Sequence, residues 1–265
     1  MSAIAAIGHI SRDVVAGSAP RPGGGVFYGA RALARLGADA RIAASCAADD
    51  RSLLYRPLET LGLPVTWRES TTTTAYTFHY EGERRIMWLE AVGDPWTATQ
   101  ALDAAGDAEW VSVCALTRTD FSSETLSALA DGGRRLLVDA QGLVRTPLIG
   151  LLRTDGDIGD ALHHVEILKL DDEEATTLVG KADPERLQAL GVPEILLTLG
   201  PSGSFVITRN VVQHVPAVDV ERSVDPTGAG DTYAASYLAQ RAAGAAPVEA
   251  ARAAATTVAA FLGGD

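Results

Sequence analysis

The heptapeptide DPTGAGD, Asp225 to Asp231, sets two carboxylates around a run of very small residues, and an alanine-rich stretch follows at once. Glycine lets a backbone turn so that successive N–H groups point inward and cradle an anion. Where such a nest opens a helix, the helix dipole adds to it. Gly228, Ala229 and Gly230 can therefore hold a negatively charged group against their amides. A carboxylate beside a bound anion makes sense if it faces a third party. Asp231 would align and deprotonate an alcohol while the nest stabilises charge on a phosphoryl group in transfer. The plainer reading is a helix cap with an acid in its first turn, and Gly-Ala-Gly-Asp alone supports that reading better.

The elements that must position this loop alternate along the chain. Ala3 to His9 reads as a strand, followed by a loop rich in Pro and Gly from Ala16 to Gly25. In VFYGARALARLG, Phe27, Ala30, Leu33 and Ala34 share one helical face and Gly37 stops the helix. Arg41 to Cys46 is a strand, and Asp49 or Asp50 caps a helix to Leu61, distorted at Pro57. The stretch from Thr71 to Ala91 breaks the rhythm: TTTTAYTFHY and RIMWLEA flank a turn at Gly82 and predict a hairpin. Strands in WVSVCAL, RRLLVDA, VEILKL and EILLTLG follow, then an antiparallel pair around Arg209 and Asn210. Two helices, Gly228 to Ala242 and Pro247 to Leu262, close the chain. Continuous apolar strands between helices predict an α/β fold, a mostly parallel central sheet with helices on both faces. Ligands of such sheets bind beyond the strands' carboxyl ends. One domain over residues 1–265 is expected, with a candidate β-hairpin lid at 68–94.

The net charge of −12 argues against nucleic-acid or anionic-membrane partners, and no apolar run is long enough for a bilayer. The chain starts as a strand with no basic region before it, so a soluble cytoplasmic protein is expected. Cys46 and Cys114 read as reduced, buried thiols. Of 22 basic residues only Lys169 and Lys181 are lysine, which reads as a bias toward arginine and not as a site. His163 and His164 read as surface residues.

DPTGAGD has company. GHISRD (Gly8 to Asp13), GGGVFYGARALARLG (Gly23 to Gly37), DAQGLVR (Asp139 to Arg145), KLDDEEA (Lys169 to Ala175) and TLGPSG (Thr198 to Gly203) come in order with it. Together they resemble the ribokinase-like (PfkB-type) carbohydrate kinases, and DAQGLVR resembles the small, inositol-kinase-like branch. The resemblance covers nearly the whole chain. It implies Asp231 as catalytic base and Gly228, Ala229 and Gly230 as anion hole. It implies Asp13, Gly24, Gly25 and the residue at Tyr28 as substrate-binding, and Asp171, Thr198, Gly200 and Gly203 as nucleotide-binding. Glu174 would act on magnesium through water, and Asp225 on a monovalent cation such as K+. ATP is the implied co-substrate and Mg2+ the implied cofactor.

The chain departs from the family pattern at Tyr28, where an asparagine is usual: a phenol can stack on a ring but lacks an amide's donor–acceptor pair. Asp171 also replaces an asparagine, and Ser236 a small glycine. The loop from Val14 to Pro22 is short, so the lid should be little more than the hairpin, and the state is a monomer or a homodimer. Arg145 neutralises phosphate, contacts substrate or sits exposed at a helix start. Trp88, Tyr76 and Phe78 cover substrate or pack inward by strand alternation. Thr256 and Thr257 approach adenine or lie on a helix surface.

The expected activity is transfer of the γ-phosphate of ATP to a hydroxyl of a small polyol or sugar. A nucleoside kinase of the same family is the alternative. A second class is a non-catalytic sugar- or nucleotide-binding regulator, which would have no use for a base. No G-x-G-x-x-G follows the first strand and no Walker motif occurs, so nicotinamide and P-loop chemistry are unsupported.

Overall fold

The computed structural model describes residues 3–15, 17–81, 84–220 and 225–264. The expected hairpin turn at Gly82 lies outside them. In chain order the strands are β1 (Ile4–His9), β2 (Ser11–Val15), β3 (Arg21–Gly23), β4 (Ala40–Cys46), β5 (Val65–Glu69), β6 (Ala75–Glu81) and β7 (Arg84–Ala91). They continue with β8 (Trp110–Cys114), β9 (Arg135–Asp139), β10 (Gly150–Leu151), β11 (Ile167–Asp171), β12 (Glu194–Thr198), β13 (Ser204–Thr208) and β14 (Val212–Val215).

Nine strands form the central sheet in the order β14-β13-β12-β11-β9-β8-β1-β4-β5. From β12 to β5 neighbours run parallel, and β13 and β14 are antiparallel at one edge. Every residue of β1 and β8 is buried, as strands covered on both faces require. One face packs on the helices Gly25–Arg35, Ala229–Ala242 and Pro247–Gly263, with Leu33, Tyr237 and Ala251 in the interface. The other packs on Ala98–Ala105, Ser123–Asp131 and Asp172–Val179, with Ala101, Leu126 and Ala175 buried there. Leu33 is fully buried and anchors the helix that carries Gly25 and Tyr28. Truncating it to alanine should cost about 2–5 kcal/mol.

The expected hairpin is present as β6 and β7, but it does not stand alone. It joins a second sheet of five strands, ordered β10-β7-β6-β2-β3. β2 follows β1 after one residue and pairs parallel with β6, so the first strand's path leads directly from one sheet to the other. Tyr76, Phe78 and Leu89 are buried on its inner face with Leu116, while His79 and Trp88 stack at 5.0 Å and are only half-buried. The long helix predicted to Leu61 is two short ones, Arg51–Leu54 and Arg56–Glu59. Pro57 lacks the N–H that a continuous helix needs. Both cysteines are buried and free. Among the described residues no helix is long and apolar enough to cross a membrane.

Candidate active site

The carboxyl ends of β9, β11 and β12 deliver Asp139, Asp171 and Thr198 to one edge of the central sheet. Lys169 lies two residues inside that edge on β11, in register with Asp139 on the neighbouring parallel strand. Its ammonium is 3.0 Å from the Asp139 carboxylate and 3.9 Å from that of Glu174. All three side chains are buried. Burial opposes charge on Lys169, but Asp139, Glu174, Asp171 and Asp231 more than restore it, so it stays a cation. The sequence reading passed over both Lys169 and Asp139. Lys169 lies in KLDDEEA and Asp139 in DAQGLVR, and the signal was one of only two lysines in an arginine-rich chain, set in a buried strand.

Asp171 and Glu174 form a reciprocal capping box at the start of Asp172–Val179. The Asp171 carboxylate accepts the Glu174 N–H at 2.8 Å, and the Glu174 carboxylate accepts the Asp171 N–H at 2.9 Å. Burial pushes the Glu174 carboxyl up to about 7, with Lys169 opposing and Asp139 adding to the shift. Arg145 follows the short helix Gln141–Val144, with its guanidinium 5.9 Å from the centre of the Tyr76 ring. Burial works against its charge, and Tyr76, Glu174 and Asp139 favour it.

The DPTGAGD loop enters this edge from the helix side. Gly228 caps Ala229–Ala242 in the left-handed region, φ 84°, and Asp231 lies in the first turn. The Ala229 N–H donates to the Pro226 carbonyl at 3.0 Å. A helix leaves its first amides without internal partners, which leaves Gly228 and Gly230 as the donors of this segment that the Pro226 carbonyl does not take. The Lys169 ammonium lies where a Cβ on Gly230 would be 3.1 Å away, so Lys169 and the nest meet. Asp231 lies as close to Gly25: a Cβ there would stand 3.1 Å from Asp231 Oδ1 and 3.3 Å from Cys114 Cβ. Gly25 is thus a close-approach position between the two helices. Burial raises the Asp231 carboxyl to about 6, Asp139 adds to this, and Lys169 and Arg145 oppose it. A cavity of about 10 Å³, room for about one water, lies behind Asp231 and is lined also by Ser112, Asp139 and Gln141.

Asp13 is buried on β2 with Oδ2 against Gly23, which leads through Gly24 into the helix start. Arg21 on β3 is the register partner of Asp13 and faces Asp225, Nη2 to Oδ2 3.2 Å. Asp225 also accepts the Thr227 N–H at 3.0 Å. Tyr28 is buried, and its hydroxyl is held protonated by burial, with Asp13, Asp231 and Asp225 adding to the effect against Arg21. Gly200 and Gly203 bound the turn Gly200–Ser202 directly after β12, and Thr198 Oγ1 donates to the Leu170 carbonyl at 3.2 Å. Thr256 and Thr257 donate to carbonyls of their own helix. His163 and His164 border a groove at the opposite, amino-terminal end of the strands, remote from Asp231. Among the described residues no three His, Cys, Asp or Glu side chains are grouped to hold a metal by themselves.

The fold is matched by known proteins. Residues 19–262 match the family described as pfkB family carbohydrate kinase. A fructokinase of Klebsiella pneumoniae is 28% identical over 243 residues, 84% of this chain and 77% of that protein. A pyrophosphate-dependent kinase in the ribokinase family, solved with a pyrophosphate analog and myo-inositol, is 28% identical with TM-score 0.87, covering 98% of this chain and 94% of the other. A Burkholderia thailandensis nucleoside kinase solved with inosine shares the fold at 22% identity and TM-score 0.78, covering 98% and 90%.

Proposed function

The chain belongs to the pfkB family of carbohydrate kinases, and from that premise we propose that it moves the γ-phosphate of ATP to a hydroxyl of a small polyol or sugar. Asp231 is the base in this reading, and the amides of Gly228 and Gly230 form the anion hole, the Ala229 N–H being held by the Pro226 carbonyl. The observation that carries it is the convergence of Asp231, the nest and the Lys169 ammonium at one strand edge. A carboxyl raised to about 6 is ionised at neutral pH yet basic enough to accept a hydroxyl proton. Lys169 and Arg145 then offset charge on the migrating phosphoryl group. Asp13, with the backbone at Gly24 and Gly25, holds the acceptor. Asp171, Thr198, Gly200 and Gly203 border the nucleotide, and the second sheet closes over the acceptor as a lid.

Acids outnumber cations here: Asp13, Asp139, Asp171, Glu174 and Asp231 against Lys169 and Arg145. Such hard oxygen donors suit Mg2+, which commonly uses one or two carboxylates together with substrate phosphates. Bound there, it would neutralise charge on the phosphates, with Glu174 holding it through water. Asp225 is the proposed contact for a monovalent cation, which would share the carboxylate with Arg21 and Thr227. A second donor reading, pyrophosphate in place of ATP, is favoured by the 28%-identical pyrophosphate-dependent neighbour.

The test is turnover with a panel of sugars, inositols and nucleosides, with ATP or pyrophosphate as donor and Mg2+ present. At least one pair should turn over, and Asp231→Asn should lose about a hundred-fold or more. Full activity in that variant would overturn the assignment of the base. Faster turnover with pyrophosphate would replace ATP as donor.

A further inference from the structure

Tyr28 stands where the chain leaves its family pattern, and its surroundings give it a task. A Cβ on Gly228 would lie 2.3 Å from Tyr28 Cδ1, 2.4 Å from Cγ and 2.7 Å from Cε1. The Gly228 backbone therefore rests on the face of the ring. Behind the ring, Phe261 meets it edge-on at 6.2 Å and Phe27 at 5.2 Å. The Arg31 guanidinium lies 5.7 Å from the ring centres of both Phe27 and Phe261. The tyrosine is 7% exposed and cannot swing out without opening this cluster.

Gly228 is the last residue before the helix, and its φ of 84° sets how the following amides are aimed. Upstream the loop is tied by the Asp225–Thr227 turn. From the helix-packed side the support is Tyr28.

We propose that Tyr28 is a positioning residue, whose ring seats Gly228 and so aims the anion-hole amides at the phosphoryl group. The inference rests on the kinase reading above. It differs from a tyrosine that binds the acceptor through its hydroxyl, because the ring alone has to be kept. Misplacing a catalytic group by about 1 Å can cost on the order of a hundred-fold.

The experiment compares Tyr28→Ala and Tyr28→Phe with the parent, using the best acceptor, and follows kcat and each KM separately. Y28A should lose about ten- to a hundred-fold in kcat with donor KM nearly unchanged, and Y28F should recover most of that loss. Binding of ADP with aluminium fluoride and Mg2+, which mimics the group in transfer, should weaken in Y28A by a similar factor while ADP alone binds as before. Thermal unfolding confirms that each variant folds. In a double-mutant cycle Gly228→Ala and Y28A should be non-additive, since the added methyl strikes the ring. Parent-like kcat in Y28A would overturn the proposal, and so would additive losses. A Y28F whose main defect is an acceptor KM raised tenfold would assign the residue to acceptor binding instead. If the parent turns over nothing, or D231N matches it, the kinase reading fails first. Loss in D231N with none in Y28A sinks only the role of Tyr28.

Discussion

Two clusters of buried charge sit at opposite ends of the same strands. At the amino-terminal start of β12, Glu194 accepts the Tyr237 hydroxyl at 2.6 Å and is gripped by the Arg241 guanidinium, Nε to Oε2 3.0 Å. Arg241 also donates to the Ala245 carbonyl and lies 5.8 Å from the Trp110 ring centre. One acid meets one base, and their hydrogen bonds are spoken for. At the carboxyl end, carboxylates outnumber cations, and burial leaves two of them, Asp231 and Glu174, titrating near 6 and 7. The same residue types therefore serve two ends differently. The amino-terminal cluster is closed and structural. The carboxyl-terminal one keeps charge that its own side chains do not compensate, the condition expected of a functional site.

The largest effect should come from Lys169→Met, which removes the cation shared by Asp139, Glu174 and the nest. Loss of one stabilising donor at a developing charge costs about 10²–10³ in kcat. Donor KM should rise as well, since the phosphates lose a counter-charge. Steady-state kinetics with saturating Mg2+ checks this. A kcat within threefold of the parent would place Lys169 with the structural cluster.

Arg241→Ala should do the reverse, sparing kcat per folded molecule and destabilising the fold. Removing one partner of a buried ion pair costs about 3–5 kcal/mol, because the other charge is stranded. Urea unfolding measures it. Replacing the whole group, Glu194→Leu and Arg241→Met with Tyr237→Phe so that no buried hydroxyl is stranded, should recover most of the loss, which a catalytic pair could not do.

pH separates the two ends more finely. The Asp231 carboxyl is raised from 3.8 to about 6 by burial and by Asp139. Between about pH 4 and 6 the folded chain therefore holds a proton that the unfolded chain has lost. Stability contributed by this group falls as pH rises through that window. Asp231→Asn should accordingly raise the melting temperature at pH 7.5 and lose that gain near pH 4, although it abolishes most turnover. In the parent, kcat/KM should fall about tenfold per pH unit below pH 6 as the base is protonated. A melting temperature lowered at pH 7.5 would mean that Asp231 is as well satisfied as Glu194.

Much of the candidate catalytic end could be read from one dimension. The alternation of apolar strands and helices implied the parallel sheet, and DPTGAGD before an alanine-rich stretch marked the loop that caps Ala229–Ala242 and meets Lys169. Lys169 and Asp139 escaped because their meeting depends on the register of β11 against β9, which no local pattern encodes. The second sheet was read as a hairpin alone because β2, β3 and β10 are five, three and two residues long, too short to show a period. The Tyr28 substitution was visible, but its contact with Gly228 joins two helices two hundred residues apart and needed coordinates.

The smallest effect concerns the join between the second sheet and the DPTGAGD loop, the Arg21–Asp225 pair. Its side chains are 38% and 48% exposed, so water and salt screen the attraction. Such pairs contribute about 0–1 kcal/mol. Burial tends to raise the Asp225 carboxyl, and the Thr227 and Arg21 hydrogen bonds outweigh it, so its pKa is lowered overall. The Thr227 bonds survive loss of Arg21, and the turn should persist. Arg21→Ala should therefore change kcat by less than about threefold, with a difference that shrinks as salt is raised. A loss beyond tenfold that salt leaves untouched would move Arg21 from the rim into the catalytic cluster. The contrast would then run between the central sheet's amino-terminal end and a candidate catalytic end that includes the second sheet.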